Sequence, residues 1–164
     1  AKGRTVRDGG GITPDIEIES PNYSRLVFSL VLNGIIDRYV IRYAKTHDSI
    51  PPVNEFHFSD ADFEDFTAFA KEQDFDYRSS AETLFDQMKE ELEEDGISES
   101  MSDEIEALGK AIKIDKEQFI RLKKDEIIPF LEEEIAVRYY YQEAGIQIRL
   151  RYDEQLKKAL EEKI

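Results

Sequence analysis

One periodic stretch, residues 115 to 145 (DKEQFIRLKKDEIIPFLEEEIAVRYYYQEAG), limits what this chain can become. Phe119, Leu122, Ile127, Ile128, Leu131, Ile135 and Tyr139 recur at helical spacing. They make one apolar stripe and leave Lys123, Lys124, Glu132 and Glu133 largely on the opposite face. Asp115 is placed to cap the free N–H groups of the first turn, and Gln118 stands where a capping box needs it. Gly145 is expected as the left-handed residue that ends the helix. At ~1.5 Å per residue such a rod is roughly 45 Å long, enough to cross a small domain. Pro129 deletes one backbone donor and clashes with the preceding turn, so a kink is expected there. The stretch is a scaffold and carries no evident chemistry.

The remaining chain reads as helices built on the same periodicity. Between Pro21 and Lys45, the residues Leu26, Val27, Leu30, Val31, Ile35, Tyr39 and Val40 mark a broad buried face. Ser20 or Ser24 can cap this helix and Pro21 suits its first turn. Gly34 inside it costs about 1 kcal/mol unless another helix needs to come close. Residues 46–58 form a connection, because Pro51-Pro52 forbids helix, with Glu55–Phe58 as a short extended piece. Ser59 caps a helix carrying Phe63, Phe66, Phe69 and Ala70. Ser80 caps another, in which Leu84, Phe85, Met88 and Leu92 are expected to face inward, ending at Asp95-Gly96. A further helix opens at Ser102 and runs through Leu108 and Ile112. Ile146–Arg151 is equally compatible with a helical turn and a strand. Asp153 caps a last helix with Leu156, Ala159 and Leu160 toward the body. The expectation is an all-α, multi-helix domain over residues 21–164. Leu26–Tyr43 and Phe119–Tyr139 form its central packed pair.

Charge and composition remove several classes of function. The net charge is -15 and acidic residues dominate from Asp60 to Glu106. No basic stripe is present to displace counterions from phosphates, which argues against nucleic acid and against an anionic membrane surface. No apolar run approaches the ~20 residues needed to span a bilayer. Without cysteine there are no disulfides, thiolate metal sites or Cys nucleophiles. His47 and His57 stand far apart with no ligand cluster and read as ordinary loop histidines. Asp60 and Asp62 begin like a calcium loop but lack its later ligands and central glycine, so they read as helix-capping carboxylates. No cofactor and no metal are expected. Tyr139, Tyr140 and Tyr141 are the exception. Consecutive residues point about 100° apart, so one helix face cannot bury all three, and at least one belongs to a contact.

The first twenty residues differ from everything after them. Arg4–Arg7 is extended in character and Ile16–Glu19 alternates with the period of a strand, around Gly9, Gly10, Gly11 and Thr13-Pro14-Asp15. The glycines lack the Lys-Ser/Thr ending of a P-loop and the setting of a dinucleotide fingerprint. Two short strands are not a stable sheet in water, so this piece reads as the remnant of a larger one. The opening AKGRT, without Met, reads as a point inside a longer protein.

Gly3, Arg4, Thr5, Gly11, Ile12, Pro14 and Asp15 carry a resemblance to a known family. The segment Gly3–Glu19 resembles the one that closes the protease core of the carboxyl-terminal processing, or tail-specific, serine peptidases. A Thr-Pro-Ser that commonly precedes it there is cut off or replaced by Ala1-Lys2. The order of the later helices, ending in Leu156, Ala159 and Leu160, is similar to the carboxy-terminal extension of Bacteroidetes-type members. The resemblance implies residues 1–20 as terminal strands of a peptidase core and residues 21–164 as a C-terminal helical domain. It implies a Ser nucleophile activated by a Lys base, both upstream of this chain, since Lys2, Ser20, Ser24 and Lys45 sit in no matching motif. It further implies protein substrates cleaved near their tails, the upstream core of the same polypeptide as partner, and a Gram-negative periplasm or envelope. The fragment itself is then expected to be inactive, with a structural or partner-docking role and the capacity to self-associate. The competing expectation is a stand-alone acidic helical interaction domain, which would tuck Gly3–Glu19 into its own body.

Overall fold

The computed structural model describes residues 16–18 and 22–162. Its elements are α1 (Arg25–Leu32), α2 (Ile35–Thr46), α3 (Asp60–Lys71), α4 (Ser80–Glu94), α5 (Ser102–Ala111), α6 (Lys116–Leu122), α7 (Lys124–Tyr152) and α8 (Glu154–Glu161). A 3-10 turn at Glu99–Met101 leads into α5. There is no strand among the described residues, so the all-α expectation holds. Ile16 to Ile18, expected within a strand, form a bend and irregular backbone with no ladder to join. Tyr23–Asp153 make one compact unit, and α8 belongs to a second.

The core of the larger unit is built on α2 against α7, flanked by α1, α3 and α6. Leu26, Leu30, Ile35, Ile127, Leu131 and Ile135 are wholly buried, as the two apolar stripes require, whereas Val31 and Leu122, expected on the same stripes, are exposed. Each contributes ~1.5–3 kcal/mol of apolar burial. Tyr39 stands at the centre, edge-on to Phe66 with ring centroids 5.1 Å apart. Its hydroxyl donates to the Asp62 carbonyl and the Asp65 carboxylate, both at 3.1 Å. Burial, and then the Asp65 charge, push its ionisation far above the ordinary tyrosine value.

Local chemistry accounts for most helix starts. Ser59 and Asp62 form a reciprocal capping box at α3. The cap of α4 is Ser79, one residue before the expected Ser80, because Glu82 at the third position completes the box with Ser79. The Asp115 carboxylate accepts from the Gln118 N–H at 3.0 Å at the head of α6.

Two expected long helices are divided. Gly34 adopts φ 62° and separates α1 from α2, rather than sitting in a continuous helix as a close-approach glycine. The left-handed angles let the chain turn between the two helices at a residue without Cβ strain. The expected rod from Asp115 to Gly145 breaks at Lys123, whose N–H bonds the carbonyls of Phe119 and Ile120, both at 3.1 Å. Pro129 lies inside α7, and the departures from helical angles flank it, at Lys123 and Tyr141. At Tyr141 (φ 66°, ψ -172°) α7 folds back, so that residues 142–152 run against 124–140 as an antiparallel hairpin. Gly145 therefore does not end a helix. A Cβ at Gly145 would lie 2.6 Å from Val137 Cγ2, so the missing side chain is what lets the two arms touch. Ile146–Arg151 is accordingly helical.

α4 and α5 pair mainly with each other, and neither has a buried residue. The expectation that Leu84, Phe85, Met88 and Leu92 face an interior is corrected for two of them: Leu84 is 64% exposed and Met88 is exposed, whereas Phe85 and Leu92 are half-buried. Helical periodicity marks an apolar stripe but does not supply a surface to cover it.

Candidate functional site

The tyrosine run and the fold-back at Tyr141 bring together two sets of polar groups that are distant in the chain. Tyr139 donates its hydroxyl to the His47 carbonyl, and Tyr140 donates to the Ile50 carbonyl at 2.8 Å. Burial, then the Asp48 charge, raise the ionisation of Tyr139. Both rings thus pin the connection after α2 to the first arm of α7. Tyr141 differs from its neighbours: its side chain is 82% exposed and its backbone occupies a region that is essentially reserved for glycine. The three consecutive tyrosines separate into two anchors and one presented ring.

One face of the hairpin closes over a buried carboxylate. Glu132, expected on the solvent side of the long helix, is 1% exposed. It accepts from the Phe58 N–H at 2.8 Å, from Arg151 Nη1 at 2.8 Å and from the Tyr152 hydroxyl at 2.9 Å. His57 Nδ1 lies 3.6 Å away. Arg151 also donates to the carbonyls of Phe56 and Val53, and therefore clamps the loop before α3 as well as the Glu132 carboxylate. Burial, followed by the Glu132 charge, pushes the Tyr152 hydroxyl up to about 12. Phe56 and Phe58 alternate inward around the exposed His57, which presents the Phe58 N–H to the carboxylate. Sequence reasoning missed this knot, because Glu132 meets Arg151 and Tyr152 only after the chain has reversed at Tyr141. The available signal was Glu132 itself, which lies between Leu131 and the buried pair Ile135 and Ala136 on the helix.

Each member of this network is committed to holding backbone or another side chain. A buried charge with its hydrogen bonds directed in this way positions chain segments rather than reacting. The other residues singled out from sequence take structural roles. His47 stacks on Tyr43 with centroids 3.9 Å apart. Asp60 pairs with Lys124 while Asp62 completes the α3 cap, so the two carboxylates serve different partners. The Ser24 N–H donates to Glu126 at 2.7 Å. Among the described residues no group of three His, Asp or Glu side chains could hold a metal ion, and no helix is long and apolar enough to cross a membrane. Gly3, Arg4, Thr5, Gly11, Ile12, Pro14 and Asp15, with Lys2 and Ser20, lie outside the described residues.

The fold and its polar knot define an acidic all-α domain whose inner polar groups hold distant chain segments together. The comparison with known families agrees in kind. Residues 26–162 match the family described as probable PDZ-protease, C-terminal helical domain, and the chain belongs to that family. It is therefore a domain of a larger protease polypeptide. No curated protein and no solved structure matches the chain.

Proposed function

We infer that this chain is the C-terminal helical domain of a carboxyl-terminal processing serine peptidase of the Ser–Lys type, Bacteroidetes-like, working in the periplasm or envelope of a Gram-negative bacterium. The observation that carries this reading is the abutment of two independent similarities. The segment Gly3–Glu19 resembles the strands that close such a peptidase core, and the family match to a protease C-terminal domain opens at residue 26. In this reading Gly3, Arg4, Thr5, Gly11, Ile12, Pro14 and Asp15 belong to the core. The nucleophilic Ser and the Lys that activates it lie upstream, and the substrates are protein chains cut near their C-terminal tails. The helical domain supplies no reacting group. It serves as a rigid body beside the core, and the tyrosine turn (Tyr139, Tyr140, Tyr141) offers a contact to the core, to a partner or to another copy.

The test compares the whole protease with the 164-residue chain on peptides bearing unstructured C-terminal tails. Hydrolysis by the whole protein, abolished when its upstream motif Ser is changed to Ala and absent from the 164-residue chain, is the expected result. Serine-dependent turnover by the 164-residue chain alone would overturn the reading.

A further inference from the structure

The α4–α5 arm has two unlike sides. One is a groove between the helices, floored by Phe85, Ile105 and Gly109. All three lysines found between residues 80 and 113, Lys89, Lys110 and Lys113, line this groove. Gly109 is needed there, since a Cβ would lie 2.9 Å from the Phe85 ring.

The other side carries exposed apolar side chains, and the three lysines line the groove instead. Leu84 and Met88 are one turn apart on α4, and the same stripe continues through Glu91 and Asp95. Glu104 and Leu108 are one turn apart on α5, and Met101 closes the 3-10 turn that leads into it. Leu84, Met88, Met101 and Leu108 are exposed, and none of them borders the groove. The result is a set of exposed Leu and Met side chains, away from the groove, interspersed with carboxylates. Between residues 80 and 113 eleven acidic residues stand against the three lysines, a net charge of -8.

We propose that this side of the arm is a docking site for a basic amphipathic helix of another protein. The charge selects the occupant. A second copy would bring an equal -8 against the first, and like charges across an interface oppose it even with a Debye length of about 8 Å in physiological salt. A helix with Leu or Ile along one face and Lys or Arg flanking that face covers the Leu and Met side chains and pairs with the carboxylates among them. Unbranched Met side chains adapt to different apolar partners, so recognition rests on the pattern more than on one sequence. An arm with no buried residue of its own also has apolar surface left to bury on binding. The inference rests on this surface alone and is independent of the peptidase assignment.

The chain's only two methionines, Met88 and Met101, both lie on the proposed face, so methyl-labelled Met makes the 164-residue chain its own reporter. The probe is an 18-residue Leu/Lys peptide with leucines at helical spacing, compared with a Leu/Glu peptide of the same pattern. Both Met methyl signals should shift with the Leu/Lys peptide and neither with the Leu/Glu peptide. The double variant Leu84→Glu, Leu108→Glu should bind the Leu/Lys peptide at least tenfold more weakly, whereas Leu32→Glu on α1 should bind it no more weakly. The sign separates docking from bulk attraction, because added carboxylates strengthen a purely electrostatic association. Unchanged or tighter binding by the double variant, unmoved Met signals, or equal response to the Leu/Glu peptide would overturn the proposal. So would sedimentation showing a dimer of the unmodified chain that the double variant abolishes, since these side chains would then be covered by a second copy.

Discussion

Tyr141 holds backbone angles that cost a non-glycine residue about 1–3 kcal/mol. The conformation persists because the flanking arms over-determine it, through Gly145 against Val137 and through Arg149 and Arg151 bonded to Glu133 and Glu132. Tyr141→Gly should therefore raise stability by about 1 kcal/mol in urea unfolding, the relief of strain exceeding the extra chain entropy of glycine. A loss of stability would mean that the ring, despite its exposure, contributes packing that outweighs the strain. The neighbouring tyrosines show how far residue type alone can be read. Three consecutive tyrosines announce that one must leave the helix face. Which one leaves is set by the carbonyls of His47 and Ile50, which capture the hydroxyls of Tyr139 and Tyr140.

At the scale of elements, the hairpin within α7 depends on the close approach that Gly145 permits. Gly145→Ala gains intrinsic helix propensity of about 1 kcal/mol, yet its methyl would sit 2.6 Å from Val137 Cγ2. Val is stiff in a helix, so the arms must separate rather than the side chain rotate. A net loss of about 1–2 kcal/mol is expected, measured by equilibrium unfolding. Pairing the change with Val137→Ala should recover most of it, because the double variant removes the obstructing methyl groups, and simple additivity of the two single losses would refute the contact. The same glycine shows why element boundaries escaped the sequence. A glycine after an apolar stripe is ordinarily a helix stop, and only a facing helix turns it into a contact point. Gly34 is the reverse case, a glycine within a continuous stripe that the fold uses as a turn.

For the whole molecule, the buried tyrosines set the behaviour in alkali. Tyr43 and Tyr152 are pushed up to about 12 by burial, from an ordinary value of 10. Between these values the folded chain holds protons that the unfolded chain has released, so folding loses stability as pH rises. The contribution is fully present below pH 10 and disappears through pH 12. Thermal unfolding followed from pH 9 to pH 12 should show Tm falling across this window, with tyrosinate absorbance rising together with unfolding. Tyr152→Phe should make the fall shallower, and a Tm independent of pH to 12 would show that the hydroxyls ionise freely in the folded state.

The sequence by itself determined the helical class, the two apolar stripes of the core, and the caps at Ser59 and Asp115, because these depend on spacing and on groups within one turn. Only the tertiary structure decided the reversal at Tyr141, the burial of Glu132 with Arg151 and Tyr152, and the exposure of Leu84 and Met88. Periodicity states which side chains share a face. Whether that face meets another surface, and whether a charge on it finds a partner, depends on segments that lie far apart along the chain until it folds.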